Sequence, residues 1–425
     1  MSGMRFAFLA FALLTPYAFA EQPLLLDGPT LIDGSGSQPL RDAQVLIAGG
    51  HIAAVGSRGS FEVPADARTL DLAGKFVTPG FVDLHFHIED DPSLVPAFVA
   101  HGVTAARDPG AWMELFEPVR EWQRRHGIAA PRLHLCGPHL DGPNPAYPMD
   151  AKVILSPEEA RRWVRSEIGR GATGIKVYFR LPLESIRAAA EEADRLRVPV
   201  TSHLEIIDVR DAVDAGVDGV EHITSLGLAL VPPMEAERYR QEVLADNNAR
   251  REGRYRIWAM VDPTGPQARA LARFLAERQV FVDPNLAVFE RRPDAEDPAS
   301  ATKVKATENM KRYVGVLHDA GVPIVVGSHS NAPYAERGFA YHRELETLVE
   351  AGLTPLETLT AATSVGARFL RRDDLGLIAE GRLADLVVLD ADPLADISNT
   401  RQVSLVIVGG QPLDPSDVPP LPRPE

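Results

Sequence analysis

Short apolar runs alternate with longer amphipathic stretches over most of this 425-residue chain. The runs with the length and β-branched character of buried strands are 81–87, 103–107, 133–136, 174–179, 198–203, 219–222, 280–284 and 322–327. Helical stretches separate them, and about eight such units is the number that closes a barrel of alternating strands and helices. The pattern therefore predicts an α/β fold, a (β/α)8 TIM barrel over residues 79–370.

Two of the predicted helices carry start signals. Ser156 and Thr354 each precede a proline and stand three residues before a glutamate. A serine or threonine cap with glutamate at the third helical position can form a reciprocal capping box, and proline is tolerated at the first position. The interval 228–267 is too long for a plain crossover, so it is expected to form either a lid over the strand ends or a solvated helical decoration.

Both ends of the chain favour β structure. Short alternating or β-branched runs occur at 24–26, 43–47, 51–55 and 69–72, and β character returns at 377–389 and 403–408. Each end alone has too few strands to be stable. We therefore expect residues 21–78 and 371–412 to form one small composite β-sandwich domain. The proline-rich sequence beyond it predicts a disordered tail over 413–425.

The first twenty residues have the form of a secretory signal. An apolar run at 6–14 is followed by Ala18-Phe19-Ala20. This predicts a cleaved signal peptide at 1–20 and a periplasmic or secreted protein. No later stretch is long and apolar enough for a membrane span. The formal net charge of −15 argues against nucleic-acid binding, and a homo-oligomer is left open.

A pair of histidines closes the first predicted barrel strand. His85 and His87 are separated by one residue. Because side chains alternate along a strand, both imidazoles point to one face. Two histidines are costly to bury unless each finds a partner, and a divalent metal ion would satisfy both. Taken alone, the pair also fits two surface histidines.

Other polar residues stand at the ends of the later strands, where the active site of a barrel lies. These are Asp108, Lys176, Tyr178, His203, Glu205, His222, Asp283 and His329, with His139 and Asp141 as further candidates after the third strand. Lys176 alternates with apolar neighbours, so it faces the barrel interior, where a lysine needs a partner. Either its amine adds carbon dioxide to become an anionic carbamate ligand, or it pairs with Asp108 or Glu205.

Taken in order, these motifs resemble the amidohydrolase superfamily, and most of all its imidazolonepropionase-like and prolidase-like branch. They read Pro-Gly-Phe-Val-Asp-Leu-His-Phe-His from 79, Gly-Ile-Lys-Val-Tyr from 174, Thr-Ser-His-Leu from 201, Val-Glu-His-Ile from 220 and Val-Val-Gly-Ser-His-Ser from 325. The resemblance implies a metal-dependent hydrolase of a C–N bond in a small molecule, such as an amide, a cyclic amide or a dipeptide. The attacking group would be a hydroxide that bridges two divalent metal ions, often zinc.

The resemblance also implies a set of site residues. One metal ion would be held by His85 and His87 and the other by His203 and His222, with carboxylated Lys176 bridging them. Tyr178 and Glu205 lie on the same strand ends and are the predicted substrate-binding residues. Glu205 and Glu89 are the candidate substitutes for the proton carrier of the family.

His329 is the main departure from the family, which has an aspartate at this position that touches metal and passes a proton to the leaving nitrogen. A neutral imidazole leaves the centre one positive charge higher. If His329 stays off the metal, its ordinary pKa of about 6.5 suits a general acid or base, so it is the predicted catalytic residue. Two alternatives stay open: a barrel that binds metal or a small molecule without turnover, and a lactonase or decarboxylase on the same scaffold.

Overall fold

The structure, a computed structural model, describes residues 22–88 and 91–421. The predicted signal peptide at 1–20 and the candidate Glu89 lie outside the described residues. Within them, no helix has the length and apolar character needed to cross a membrane.

The strands and helices follow one another in the order that the apolar pattern predicts. The strands are β1 Leu24–Asp27, β2 Thr30–Leu31, β3 Ala43–Ala48, β4 His51–Ser57, β5 Arg68–Asp71, β6 Phe76–Pro79, β7 Phe81–Asp83, β8 Val103–Asp108, β9 Arg132–Leu135, β10 His139–Asp141, β11 Ala151–Val153, β12 Ile175–Val177, β13 Val200–Ser202, β14 Gly219–Glu221, β15 Phe281–Asp283, β16 Leu386–Leu389, β17 Val403–Val408 and β18 Gln411–Leu413. The helices are α1 Leu94–Ala100, α2 Glu117–His126, α3 Pro157–Gly169, α4 Leu183–Arg195, α5 Val209–Asp214, α6 Pro233–Ala245, α7 Ala249–Met260, α8 Pro266–Glu277, α9 Leu286–Phe289, α10 Ser300–Asp319, α11 Ala340–Glu350, α12 Pro355–Thr360 and α13 Gly366–Phe369.

Two parallel sheets carry the central part of the chain. One has the order β7-β8-β9, and the other has the order β11-β10-β12-β13-β14-β15. Residues 322–327 lie between them: Ile324 bridges Val282 of β15 in parallel, and Leu84 N donates to Val326 O at 2.9 Å. Each predicted run from 81 to 284 overlaps one of these strands, whereas β10 and β11 were not predicted. The parallel arrangement brings the carboxyl ends of these strands to one side.

The two ends of the chain share a sheet. Its strand order is β18-β17-β16-β6-β2, so that β6 from the N-terminal part pairs antiparallel with β16 from the C-terminal part. A second sheet has the order β4-β3-β1-β5. Apolar side chains from both sheets form one buried cluster, among them Leu26, Val45, Val77, Leu386 and Ile407. The N-terminal strands therefore depend on the C-terminal strands for their hydrophobic contacts.

Residues 413–421 pack against this part of the fold, where the sequence predicts a disordered tail over 413–425; residues 422–425 lie outside the described residues. Leu413 pairs with Val406 in the antiparallel β17–β18 ladder. Val418 packs against the apolar cluster that contains Val99 and Val406, and Leu421 is buried. The prolines of this segment are interspersed with apolar residues, and burial of those residues fixes residues 413–421 in place.

Helix capping follows the sequence signals at both predicted starts. At α12, Thr354 accepts a hydrogen bond from Glu357 N, and the Glu357 carboxylate accepts one from Thr354 N at 2.8 Å, which completes a capping box. At α3, Ser156 accepts from Glu159 N, but the Glu159 carboxylate accepts from Leu155 N instead. Both helices thus begin where the Ser/Thr-Pro-x-Glu pattern places them.

The long interval 228–267 is packed into the protein. It folds into the end of a 3₁₀ helix at Ile223–Leu230, then α6, α7 and the first residues of α8. The side chains of Tyr239, Tyr255 and Trp258 are buried, so the prediction of a solvated helical decoration is wrong. Because α7 also carries two of the arginines that line the central cavity, this excursion forms part of the wall of the site.

His342 is an acid-sensitive residue beside the amino ends of β7 and β8. Its Nε2 donates to the His101 carbonyl at 3.1 Å, and its Nδ1 lies 2.9 Å from the Thr400 hydroxyl. Burial lowers its pKa from 6.5 to about 3. As the pH falls below 6.5, His342 binds a proton in the unfolded chain but not in the folded protein. The free energy of unfolding therefore decreases until about pH 3.

From this linkage, we expect this histidine to cost about 2 kcal/mol of stability between pH 7 and pH 5. The measurement is the urea unfolding free energy at both pH values for the natural protein and for His342→Asn. The pH-dependent loss should be smaller in the variant by that amount. An identical loss in both proteins would show that His342 is not the acid-sensitive group.

Candidate metal and active site

A cavity of about 330 Å³ opens at the carboxyl ends of the parallel strands. Most of the residues singled out by the sequence line it, namely His87, His139, Lys176, Tyr178, His203, His222 and His329. His85 lies beneath this surface and is fully buried. The structure thus brings together side chains that come from six different segments of the chain.

His85 and His87 directly follow β7 and face each other, as the alternation of side chains predicts. Their Nε2 atoms are 3.2 Å apart. Backbone hydrogen bonds hold the segment on both sides, since Phe86 N donates to Arg107 O and His329 N donates to His85 O. Two imidazole nitrogens at this distance can both face one small cation.

His222 and His329 adopt a left-handed backbone conformation, with φ of 63° and 57°. Such a conformation costs a residue with a side chain on the order of 1–3 kcal/mol and is concentrated at functional sites. At His222 it is held by a hydrogen bond from the backbone N–H to Asp283 O at 2.8 Å. With His85, these two histidines offer ligand atoms that lie within 4.8 Å of one another.

His203 is adjacent to this group and is oriented by Glu205. The ring centroids of His203 and His222 are 4.5 Å apart. His203 Nε2 lies 3.1 Å from Glu205 Oε1, and the other carboxylate oxygen of Glu205 accepts a hydrogen bond from the Tyr239 hydroxyl. Glu205 is buried behind His203 and does not belong to the cavity wall. From this position Glu205 orients the imidazole of His203, whereas the sequence predicted that it contacts the substrate.

Lys176 is buried and pairs with Glu221, not with Asp108 or Glu205 as the sequence suggests. The distance from Lys176 Nζ to Glu221 Oε2 is 2.6 Å, and Arg107 donates to the other oxygen at 2.8 Å. Burial raises the pKa of Glu221, but the Lys176 and Arg107 cations outweigh it and hold the pKa at about 2. Asp108 instead accepts hydrogen bonds from the backbone of the neighbouring loops.

The donor set fits a divalent metal ion. Among the described residues, the Nδ1 atoms of His203 and His222 are buried without a hydrogen-bond partner, whereas His85 Nδ1 lies beside the carboxylate of Asp283. Burial lowers the pKa of His203 to about 4 and that of His222 well below 6.5. These imidazoles are therefore neutral and keep a lone pair, which is the form that binds a metal ion. Nitrogen-rich sites of this kind suit zinc and similar ions.

His329 is half-buried and also has a lowered pKa. Its ring stacks on that of His85 with centroids 5.0 Å apart. Burial, followed by the charges of His87 and Lys176, lowers its pKa well below 6.5. A neutral imidazole in this position is better suited to face a metal ion than to donate a proton as an imidazolium.

Tyr178 lies in the cavity wall between the histidines. Its ring centroid is 4.6 Å from that of His203 and 4.4 Å from that of His139. Burial raises the pKa of its phenol well above 10, so the hydroxyl is neutral and can donate a hydrogen bond. His139 also lines the cavity, whereas Asp141 accepts backbone hydrogen bonds from Gly142 and Arg180.

Sequence reasoning did not assign a role to Glu221 or Asp283. Asp283 Oδ2 lies 3.3 Å from His85 Nδ1, and Asn285 donates to its other oxygen at 3.0 Å. A side chain at Gly327 would meet this group, because a Cβ there would lie 2.5 Å from both Asp283 Oδ2 and the His85 Cβ. An acidic residue inside a buried strand is the signal that could have revealed both, since it requires a partner.

A histidine cluster at the carboxyl ends of parallel strands, beside a cavity of small-molecule size, is the arrangement of an α/β enzyme. The chain belongs to the amidohydrolase family, whose profile matches residues 76–413. Its resemblance to that family is therefore confirmed. As a member, it is a hydrolase that acts on C–N bonds.

Individual relatives agree with this assignment. The imidazolonepropionase of Mycolicibacterium smegmatis is 26% identical over 90% of this chain and 93% of its own length. The solved structure of a candidate prolidase from Bifidobacterium longum has a TM-score of 0.71 and 26% identity, and covers 93% of this chain and 95% of that one. The bottromycin amidohydrolase shares the fold, with a TM-score of 0.73, 24% identity and coverage of 94% and 89%.

Proposed function

We propose that this protein is a metal-dependent amidohydrolase that cleaves an amide, cyclic amide or dipeptide bond in a small molecule. The observation that carries the proposal is a cluster of imidazoles in which the buried, neutral rings of His203 and His222 have Nδ1 atoms without partners among the described residues. Such atoms are costly to bury unless a ligand satisfies them. A metal ion is the ligand that several converging imidazoles fit best.

We assign two divalent metal ions, zinc in the first instance, to this cluster. His85 and His87 would hold one and His203 and His222 the other, with Lys176 between them as a carbamate and His329 beside them. When bound, such ions polarise a carbonyl and lower the pKa of water from 15.7 to about 7, which supplies hydroxide near neutral pH.

The protein's own residues prepare this site. Glu205 fixes the ring of His203, and Asp283 lies close enough to His85 Nδ1 to fix the ring that faces His87. Carboxylate partners of this kind set the tautomer and raise the basicity of a metal-binding histidine. Tyr178 is placed to donate a hydrogen bond to a substrate oxygen. Formation of the carbamate requires Lys176 to lose its proton and to leave the pair with Glu221.

The proposal extends to the whole chain. It takes the two parallel sheets and residues 322–327 as one closed (β/α)8 barrel over 79–370. Residues 21–78 and 371–412 form the composite β-sandwich domain in this proposal. Cleavage of 1–20 as a signal peptide would place the enzyme in the periplasm or outside the cell.

One observation favours a second candidate, a barrel that binds metal without turnover. Lys176 is held by Glu221 at 2.6 Å in a buried pair, which opposes conversion of its amine into a carbamate. In that case His85, His222 and His329 would bind a single ion.

Metal analysis combined with a substrate panel tests the proposal. The purified full-length protein is reconstituted with zinc and freed of excess metal, and its metal content is measured. It is then assayed on N-acyl amino acids, dipeptides, cyclic amides and lactones. We expect about two metal ions per chain and turnover of amides that stops when a chelator removes the metal. Metal without turnover would favour the binding barrel, and turnover confined to lactones would favour a lactonase.

His329→Asp should restore the carboxylate that the family has at this position. It lowers the charge of the centre by one unit and adds a proton carrier, so kcat should rise, by roughly 100-fold if the proton transfer limits the reaction. The matched control is His329→Asn, which has similar size but neither charge nor basicity. If the aspartate variant has unchanged activity and metal content, the importance given to His329 is mistaken.

A further inference from the structure

We infer that the substrate carries a carboxylate, which is bound by Arg250, Arg254 and Arg291 on the cavity wall. The inference rests on the proposed function and names its substrate class. All three guanidinium side chains line the same cavity as the histidine cluster. Arg250 and Arg254 are four residues apart on α7 and thus share a face of that helix, while Arg291 follows α9.

Aromatic rings connect these arginines to the histidines. The Arg254 guanidinium lies 5.1 Å from the Phe289 ring centroid, and that ring is 5.6 Å from the ring of His222. On the other side, the Arg250 guanidinium lies 5.0 Å from the Tyr147 ring. Phe289 therefore lies between Arg254 and His222, and a substrate with its scissile bond at the histidines can extend along this ring towards the arginines.

The arginines of this group differ from their neighbours in lacking acidic partners. Among the described residues, no carboxylate oxygen lies within salt-bridge distance of any of the three, whereas the nearby Arg256 pairs with Glu242 and Arg292 with Glu290. Arg250 donates instead to Asn247 O and the Tyr147 hydroxyl. Within residues 22–88 and 91–421, the Arg254 side chain donates one hydrogen bond, a long contact of 3.4 Å from its Nε to Arg251 O.

Three cations without acidic partners in a recess of a protein of net charge −15 indicate an anionic ligand. Asp150 contributes a carboxylate to the same cavity wall, and the buried carboxylate of Glu205 interacts electrostatically with Arg250 and Arg254, so three guanidinium groups face two carboxylates. A planar guanidinium binds a carboxylate through two parallel hydrogen bonds, which also fixes the orientation of the substrate. The cavity, at about 330 Å³, has the size of a small amino-acid derivative.

N-acyl amino acids and dipeptides combine these features. In their hydrolysis, water adds to the acyl carbonyl, the C–N bond breaks, and the nitrogen leaves with a proton as the free amino acid. The carboxylate of that amino acid takes no part in the bond changes. It would be held by the arginines while the amide carbonyl lies at the histidines.

Isothermal titration of the zinc-loaded full chain tests this inference without relying on turnover. The probes are N-acetyl amino acids with small, aromatic and acidic side chains, each compared with its own carboxamide. We expect the acids to bind at least 10-fold more tightly than the carboxamides. Arg254→Gln should weaken binding of the acids by roughly 10- to 100-fold and leave the carboxamides unchanged, because hydrogen bonds to charged groups are the ones lost. The affinity of Arg254→Lys for the acids should lie between that of the natural protein and that of Arg254→Gln.

Arg251→Gln is the matched control, since Arg251 is exposed on the same helix outside the cavity. It should bind every probe like the natural protein. Equal binding of acids and carboxamides by the natural protein, or an equal loss of both in Arg254→Gln, would overturn the inference. Turnover of neutral amides with no preference for acids would overturn it while leaving the proposed function intact. Tighter binding of acids without turnover of any amide would support the carboxylate site and contradict the proposed function.

Discussion

His203→Ala should lose metal and reduce amide turnover by more than about 100-fold. Loss of a partner that only orients a metal ligand already costs about 10- to 100-fold in affinity or activity, so loss of a ligand itself should cost more. His203 is the most informative of the histidines to replace, because His222 and His329 have a left-handed backbone that alanine would strain. The measurement is metal content after dialysis against metal-free buffer, followed by kcat/KM.

Two further variants define the scale of this effect. Glu205→Gln keeps the hydrogen bond to His203 Nε2 in a weaker form and should cause a smaller loss than His203→Ala. His126→Ala removes an exposed histidine from α2 and should change neither metal content nor activity. Full metal occupancy in His203→Ala would mean that His203 is not a ligand.

Glu221→Gln should destabilise the metal-free protein by about 3–5 kcal/mol. Removal of one partner from a buried ion pair leaves the other charge without compensation, and this costs more than the pair contributes as a whole. Here the loss affects two cations at once, since Glu221 binds both Lys176 and Arg107. Its side chain is only 1% exposed, so water cannot take its place. Urea denaturation gives the free energy of unfolding.

The double variant Lys176→Met/Glu221→Leu shows how much of the loss in unfolding free energy comes from the uncompensated Lys176 cation. It removes one charge of each sign, so it should recover part of the stability that Glu221→Gln loses, although Arg107 still lacks its carboxylate. Glu121→Gln breaks an exposed pair on α2 and should leave the unfolding free energy unchanged. A loss below about 1 kcal/mol in Glu221→Gln would show that Lys176 and Arg107 find other partners.

Local patterns in the sequence predicted the strands and the ends at which the site lies. Apolar runs and caps depend on neighbouring residues, so 81–87 and 198–203 could be placed from periodicity alone. The same rule predicted that His85 and His87 face the same side. The strands β10 and β11 escaped because His139-Leu140-Asp141 and Ala151-Lys152-Val153 do not form apolar runs.

The partners of the site residues could not be predicted in the same way. Lys176 lies on β12 and Glu221 on β14, with β13 between them, so their contact depends on the register and twist of a sheet that no local pattern specifies. Arg254 reached the cavity wall because α7 packs across the strand ends, and the sequence did not reveal which face of that helix turns inward. Long-range contacts of this kind are set by the complete fold.

We propose above all that histidine side chains from separate strand ends bind metal ions in one cavity. The most direct test is a crystal of the zinc-loaded protein measured on both sides of the zinc absorption edge. We predict two anomalous peaks in the cavity, with imidazole nitrogens of His85 and His87 around one and those of His203 and His222 around the other, at about 2.0–2.1 Å. A map without an anomalous peak among these four histidines would contradict the claim.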